Sequence, residues 1–288
     1  MNKVFAITTR VRWLELADLN HPLLKRMTLE APGTFQHSLA VANLAEAACE
    51  AIGANATMAR VCSYFHDIGK LVKPEYFTEN MSFERNPHDD LAPTMSALII
   101  IAHVKEGVDL ALKHRLNQSI IDIIQEHHGT SLVRYFYQRA LQQHEDALAG
   151  GKIMRLREDD VPEVHEESFR YSGPKPQTKE SAIISLADAI ESASRSVEKP
   201  TPQKIETLVH EIVEERISDR QLDECDLTLG ELTTISERFR FTLISMLHSR
   251  IAYPKSGQKS AAPRDGTLRP DVMVATRKPE TAPPVSAA

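Results

Sequence analysis

The stretch Tyr64-Phe65-His66-Asp67-Ile68-Gly69-Lys70 sets a histidine and an aspartate side by side at the end of an apolar run, with a glycine two residues on. Imidazole suits Mn, Fe or Zn, and a carboxylate, with two oxygens, can join two cations. Taken alone, such a pair reads as a buried histidine beside a helix-terminal aspartate. Four other places in the chain supply partners: His37, His103, the pair His127-His128, and Asp188. His37 shares three- and four-residue spacing with Val41, Leu44, Ala48 and Ile52, which puts it on an apolar helix face. There, and for His103 in its aliphatic helix, a core histidine is the plain alternative, and His127-His128 could be surface residues at a helix end. Asp188 sits among Ile183, Ile184, Leu186, Ala187 and Ile190. An ionised carboxylate on an apolar face is costly unless it is hydrogen-bonded, paired or bound to a metal.

The joint pattern says more than any member. His66-Asp67, His103 and His127-His128 each come within about one turn of a glycine, namely Gly69, Gly107 and Gly129, and each glycine reads as a helix stop. Helix C-termini carry partial negative charge and favour a cation. Three helix ends would then aim ligands at one place, with His37 and Asp188 arriving from the sides of two more helices. Five histidines and two aspartates are enough for two ions. Two cations roughly 3.5–4 Å apart suit in-line displacement at phosphorus, where they activate a water and hold the phosphoryl oxygens.

The elements that must position these residues are helices throughout, and the class expected is all-α. Val11 to Leu19 has the pattern of a short amphipathic helix and Leu23 to Leu29 of a further turn. Thr34, after the break at Ala31-Pro32-Gly33, is a candidate N-cap for a helix ending at Gly53. A helix from about Thr57 carries His66 and Asp67 and ends at Gly69; residues 71–93 form a polar connection; a helix beginning at Pro93 stops at Gly107, followed by another over 108–115. Further helices are expected over 118–128, 132–148, with Gly150-Gly151 opening a loop, 178–195, 202–217, and from Thr228-Leu229-Gly230-Glu231, a capping-box spacing, to about Tyr253. No alternating strand pattern and no internal repeat occurs. The expected organisation is a lead-in over 1–20, a catalytic domain over 21–254 and a disordered tail over 255–288, where Pro, Ala, Lys and Arg replace apolar residues.

The totals exclude several classes. A chain of 288 residues with 42% hydrophobic and 26% charged residues can bury a sizeable core as a soluble protein. Its net charge of -6 offers no basic field for duplex nucleic acid. Three separated cysteines (Cys49, Cys62, Cys225) fit a reducing compartment. The longest apolar run, Ala97 to Ala102, falls far short of the roughly 20 residues a bilayer span requires, and no signal peptide is evident. The chain reads as cytoplasmic.

The order His37, His66-Asp67, His103, His127-His128, Asp188 resembles the HD-domain metal-dependent phosphohydrolases, with His66-Asp67-Ile68-Gly69 as the HDIG-type signature. It is closer still to the HD domain of the seven-transmembrane HD receptors, which include the PgpH-type cyclic di-AMP phosphodiesterases. Carrying segments include Leu29 to Ser38, Tyr64 to Lys70, Pro74-Glu75-Tyr76-Phe77, Asn86-Pro87-His88-Asp89, Glu126 to Gly129, Leu186-Ala187-Asp188 and Gln221 to Thr228. The chain departs at Phe35-Gln36, where the family often reads Tyr-His, and at Tyr171-Ser172-Gly173-Pro174, where it reads Tyr-Pro-Gly-Pro.

The resemblance implies a helical bundle with a dinuclear site. One ion would take His37, His66, Asp67 and Asp188, and the other Asp67, His103, His127 and His128, with Mn or Fe favoured over Zn. Asp67 and Lys70 are the expected catalytic residues, Lys70 holding phosphate or steering charge; Arg195, Lys175 and His88 are weaker site candidates. His21, His114, His144, His165, His210 and His248 receive no role. The implied activity is hydrolysis of a cyclic dinucleotide, cyclic di-AMP, to the linear dinucleotide. The alternatives are a broader phosphohydrolase acting on nucleotides or other phosphate esters, and a nucleotide-binding sensor without turnover.

Overall fold

The structure, a computed structural model, describes residues 13, 16–81, 86–154 and 163–248. The readings of the extreme N-terminal stretch, the tail over 255–288 and the last residues of the final helix lie outside these. Among the described residues the helices are α1 (Pro22–Glu30), α2 (Pro32–Ile52), α3 (Ala56–Phe65), α4 (Pro93–Lys113), α5 (Gln118–Glu126), α6 (Arg134–Met154), α7 (Lys179–Ser194), α8 (Pro202–Ser218) and α9 (Leu229–His248). Short 3-10 turns punctuate the connections, and the one bridge of β type among these residues joins Leu132 to Arg170. The protein is all-α.

Helix α2 is the central rod. It buries residues on every side, including Val41, Leu44, Ala45, Ala48 and Cys49, and packs along α3, α7 and α9. Fully burying a side chain such as Leu44 stabilises by about 1.5–3 kcal/mol. Helix α7 is likewise buried almost all round, from Ser181 to Ile190. Trp13 is part of the same core. A smaller cluster of Ala97, Phe136, Ala140 and Phe169 joins α4 to α6 and to the segment before Tyr171.

Helix starts follow the side-chain chemistry. Asn55, Asn117, Thr178 and Thr201 accept from backbone amides in the first turns of α3, α5, α7 and α8. Thr228 and Glu231 bond reciprocally at the start of α9, as the spacing predicts. Thr34 does not cap α2: Pro32 occupies the first turn, the helix starts at Ala31, and the Thr34 hydroxyl donates to Glu79 Oε1 at 3.0 Å. Gly53 and Gly129 do end their helices at positive φ.

The other glycine expectations fail. Helix α4 runs unbroken through Gly107 to Lys113, and α6 continues through Gly150-Gly151. Helix α3 closes at Phe65, and Gly69 lies inside the 3-10 turn Ile68–Val72. Both Gly69 and Gly107 serve close approach instead. A Cβ on Gly69 would stand 1.8 Å from the His103 carbonyl oxygen, and one on Gly107 would stand 3.3 Å from Gly69 N. The turn that follows Asp67 therefore lies backbone to backbone on α4, beside His103.

Candidate metal centre

His66 caps α3, and Asp67 follows it in a non-helical conformation (φ -110°, ψ 17°) that turns the carboxylate inward. His127 caps α5. These two helix ends point into the site as the spacing predicts, but His103 comes from the middle of α4, so no helix terminus assists it. His37 projects from α2 and Asp188 from α7, both buried.

The seven residues converge. Single ligand atoms of His37, His66, Asp67 and Asp188 lie within 4.8 Å of one another, and so do those of Asp67, His103, His127 and His128. Asp67 belongs to both groups, one oxygen to each. Oδ2 faces His37 Nε2 at 3.5 Å and His66 Nε2 at 3.3 Å, while Oδ1 faces His103 Nε2 at 3.3 Å and His127 Nε2 at 3.6 Å. Asp188 reaches His37 Nε2 at 2.9 Å with Oδ1 and His128 Nδ1 at 3.6 Å with Oδ2.

Three of the imidazoles are oriented by one device. Nδ1–H of His66, His103 and His127 donates to the carbonyl oxygen three residues earlier, of Ser63 (2.7 Å), Ile100 (2.5 Å) and Ile124 (2.9 Å). With Nδ1–H tied to a carbonyl, Nε2 is the atom that faces the centre, the one a metal ligand needs. His37 is turned by a carboxylate instead: its Nδ1 lies 2.5 Å from Glu191 Oε2, and Glu191 is held by Arg195 Nε at 3.0 Å. The spacing Asp188-x-x-Glu191-x-x-x-Arg195 on one helix face was the signal for this support, and it was missed. Arg195 is spoken for by Glu191. Lys175 is partly exposed and His88 is buried against Phe136 with its Nε2 on the Tyr76 carbonyl; neither belongs to the two groups.

Electrostatics set the two groups apart. Burial pulls the His66 pKa down, but Asp67 and Asp188 outweigh it and hold it up at about 10. His37 is raised in the same way, against burial, by Asp188 and Glu191. His127 and His128 go the other way, lowered by burial and by the neighbouring imidazoles. Asp67 and Asp188 stay well below the ordinary carboxylate range despite burial, because Lys70 and the histidines face them. Lys70 Nζ lies 2.8 Å from Asp67 Oδ2 and donates to Glu79 Oε1 at 2.9 Å, so it remains a cation.

Buried His37 Nε2, His66 Nε2 and both Asp67 oxygens make no hydrogen bond; the Lys70 contact with Oδ2 is an ion pair without hydrogen-bond alignment. Leaving four such atoms unsatisfied together is expensive unless cations sit among them. The donor set fits divalent metals. Residues 34–193 match the HD domain family model. The chain belongs to the HD-domain family. It is 45% identical over 255 residues to the cyclic-di-AMP phosphodiesterase PgpH of Bacillus subtilis and 44% identical over 251 residues to that of Listeria monocytogenes. These alignments take in 88% and 87% of this chain but 34% and 33% of the relatives, so the chain spans about a third of their length. The crystal structure of the L. monocytogenes PgpH HD domain in complex with cyclic-di-AMP is similar at a TM-score of 0.70 and 44% identity, covering 81% of this chain and all of that one.

One side of this HD domain's centre opens into a cavity of about 250 Å³ lined by Lys70, Phe77, His103, His128, Tyr171 and Arg216, among others. Tyr171 stacks on His128, ring centroids 4.2 Å apart. It is brought there by backbone pairing of Tyr171 N with the Ser131 carbonyl and of Val133 N with the Phe169 carbonyl. A smaller pocket on the other side touches His37, Lys70, Glu79 and Arg195. Among the described residues no helix is long and apolar enough to cross a membrane.

Proposed function

We propose that this chain is a metal-dependent phosphodiesterase that hydrolyses cyclic di-AMP to the linear dinucleotide, with two Mn or Fe ions. The observation that carries it is the pair of ligand groups sharing Asp67, each oxygen facing its own set of imidazoles. The named activity of the PgpH relatives and the cyclic-di-AMP bound to the similar crystal structure support the choice of substrate.

His37, His66, Asp67 and Asp188 would hold one ion and Asp67, His103, His127 and His128 the other. When bound, the pair supplies Lewis acidity at the phosphoryl oxygens and brings the pKa of water toward neutrality. The chain's own residues prepare for this. The carbonyls of Ser63, Ile100 and Ile124 keep three Nε2 atoms aimed inward before any ligand arrives. Asp67 stays ionised, because Lys70 offsets the cost of its burial. Lys70, a permanent cation lining both cavities, draws an anionic diester toward the centre. Water adds to phosphorus, the bond to one ribose 3′ oxygen breaks, a proton of the water passes to that oxygen, and the ring opens.

The test is the product formed by metal-loaded protein from cyclic di-AMP, cyclic di-GMP and a panel of nucleoside monophosphates, with the metals identified by elemental analysis. Linear dinucleotide from cyclic di-AMP is the expected result. Phosphate release from monophosphates with no linear dinucleotide would replace this reading with a broader phosphohydrolase. Tight binding of cyclic di-AMP without product would make the domain a sensor.

A further inference from the structure

Arg216 stands in the last turn of α8 and lines the cavity that opens from His103 and His128. Among the described residues its guanidinium makes no hydrogen bond or ion pair, although it is partly buried. The reason is local. The residues three and four before it, Val213 and Ile212, are apolar. Asp219, three residues after it, is taken by Arg170 at 3.0 Å and by Gln221 at 3.0 Å. The adjacent Glu215 is engaged by Arg134 at 2.8 Å. The helix end that carries Arg216 is nevertheless well fixed. Gln221 Oε1 accepts from Thr130 N at 2.8 Å, and Arg170 Nη1 donates to the Thr130 carbonyl at 2.8 Å, so the end of α8 is tied to the loop that follows His128.

The other cation on this cavity, Lys70, is committed to Asp67 and Glu79. A guanidinium with no ion pair is open to an anion, and its planar fork matches a phosphate held by two parallel hydrogen bonds. A cyclic dinucleotide carries two phosphodiesters in one ring. With one diester at Asp67, the other lies beside the centre and requires a donor of its own, and the cavity lined by Arg216 opens there. We propose that Arg216 forms a second phosphate subsite, binding the diester that is not being cleaved and so selecting cyclic dinucleotides over diesters with one phosphate. The assignment rests on the cyclic-dinucleotide reading above. It makes Arg216 a specificity residue that touches substrate away from the reacting phosphorus.

The test compares Arg216→Ala and Arg216→Lys with the unchanged protein on cyclic di-AMP and on bis(p-nitrophenyl) phosphate, which has one phosphate only. Arg216→Ala should raise KM for cyclic di-AMP by about 10- to 100-fold, the range for a charge-assisted hydrogen bond, with kcat and metal content little changed. On the simple diester it should change kcat/KM by less than about twofold, since no contact of this kind is lost there. Arg216→Lys, keeping the charge without the fork, should recover part of the loss. An equal fall on both diesters, or no change on cyclic di-AMP, overturns the subsite. An unchanged protein that cleaves the simple diester but no cyclic dinucleotide overturns the underlying reading, and the subsite with it.

Discussion

The two halves of the proposed metal centre meet at Asp67. The His37 half holds two carboxylates and two imidazoles, sits in the bundle between α2 and α7, and is backed by Glu191 and Arg195. The His103 half holds one carboxylate and three imidazoles, opens beside Tyr171 and Arg216, and relies on main-chain carbonyls for orientation. Negative charge, outweighing burial, raises the pKa of His37 and His66 in the first half, and burial and neighbouring imidazoles lower that of His127 and His128 in the second. The first half attracts cation and proton alike. In the second, His127 and His128 present neutral nitrogens beside the cavity that Tyr171 and Arg216 line.

Removing what the halves share has the largest effect. Asp67→Ala should release both ions, abolish hydrolysis and leave the helices folded, as judged by elemental analysis, turnover and far-UV circular dichroism; two retained ions per chain would undo the dinuclear assignment. Removing what they do not share comes next. His128→Ala should empty one position and keep the other filled, whereas His37→Ala should cost the ion of its own half; if either variant loses both ions, the halves are not independent. Glu191→Gln keeps the size of the partner of His37 but takes its charge, and should weaken one ion by about 10- to 100-fold while sparing the other, read by metal titration.

The smallest effect separates the halves by pH. With chelator present, His66 has its pKa raised from 6.5 to about 10. Its contribution to stability is therefore fully present below pH 6.5 and lost as pH rises through about 10. Asp67 and Asp188, with lowered pKa values, contribute above the ordinary carboxylate range near 3.8, and that contribution is lost as pH falls. The metal-free protein should thus be most stable between about pH 4 and 6.5 as far as these groups decide it. Above that its Tm should decline, by about 2–4 °C per kcal/mol lost. Metal held by His66 in the proposed centre would displace its proton, so the gap in Tm between Mn-loaded and chelated protein should widen from pH 6.5 to 10. Calorimetric scans across that range check it, and a constant gap would mean that His66 is neutral before metal arrives.

Much of this was legible beforehand. Apolar periodicity located the helices, and Pro93, Pro202 and the Thr228-to-Glu231 spacing marked three of their starts. The convergence of His37, His66-Asp67, His103, His127-His128 and Asp188 could be read from spacing, since each sits on an apolar face or at a helix end. What failed was the reading of glycine. Gly69 and Gly107 lack side chains to let two backbones touch, and a contact between segments nearly forty residues apart leaves no local pattern in the chain. Glu191 and Arg216 were passed over for a related reason. A charged residue on a helix resembles a solvated one until its neighbours are known, and only the packing of α7 and α8 shows that one is buried against His37 and the other faces the cavity beside Tyr171 without an ion pair.

The hydrogen bonds from Nδ1 of His66, His103 and His127 to main-chain carbonyls have a consequence for exchange with solvent. All three rings are buried, and each of these protons is enclosed within one helical turn. They should outlast ordinary imidazole protons in deuterated water and persist as three separate imidazole N–H resonances, whether or not cations occupy the other face of each ring. The Nε2 proton of His66 is different, since it shares its nitrogen with the place a cation would take. Titrating the protein with a diamagnetic divalent ion should therefore extinguish the His66 Nε2 signal while the three Nδ1 signals stand, so that the inner and outer faces of the centre are distinguished by the lifetimes of their protons.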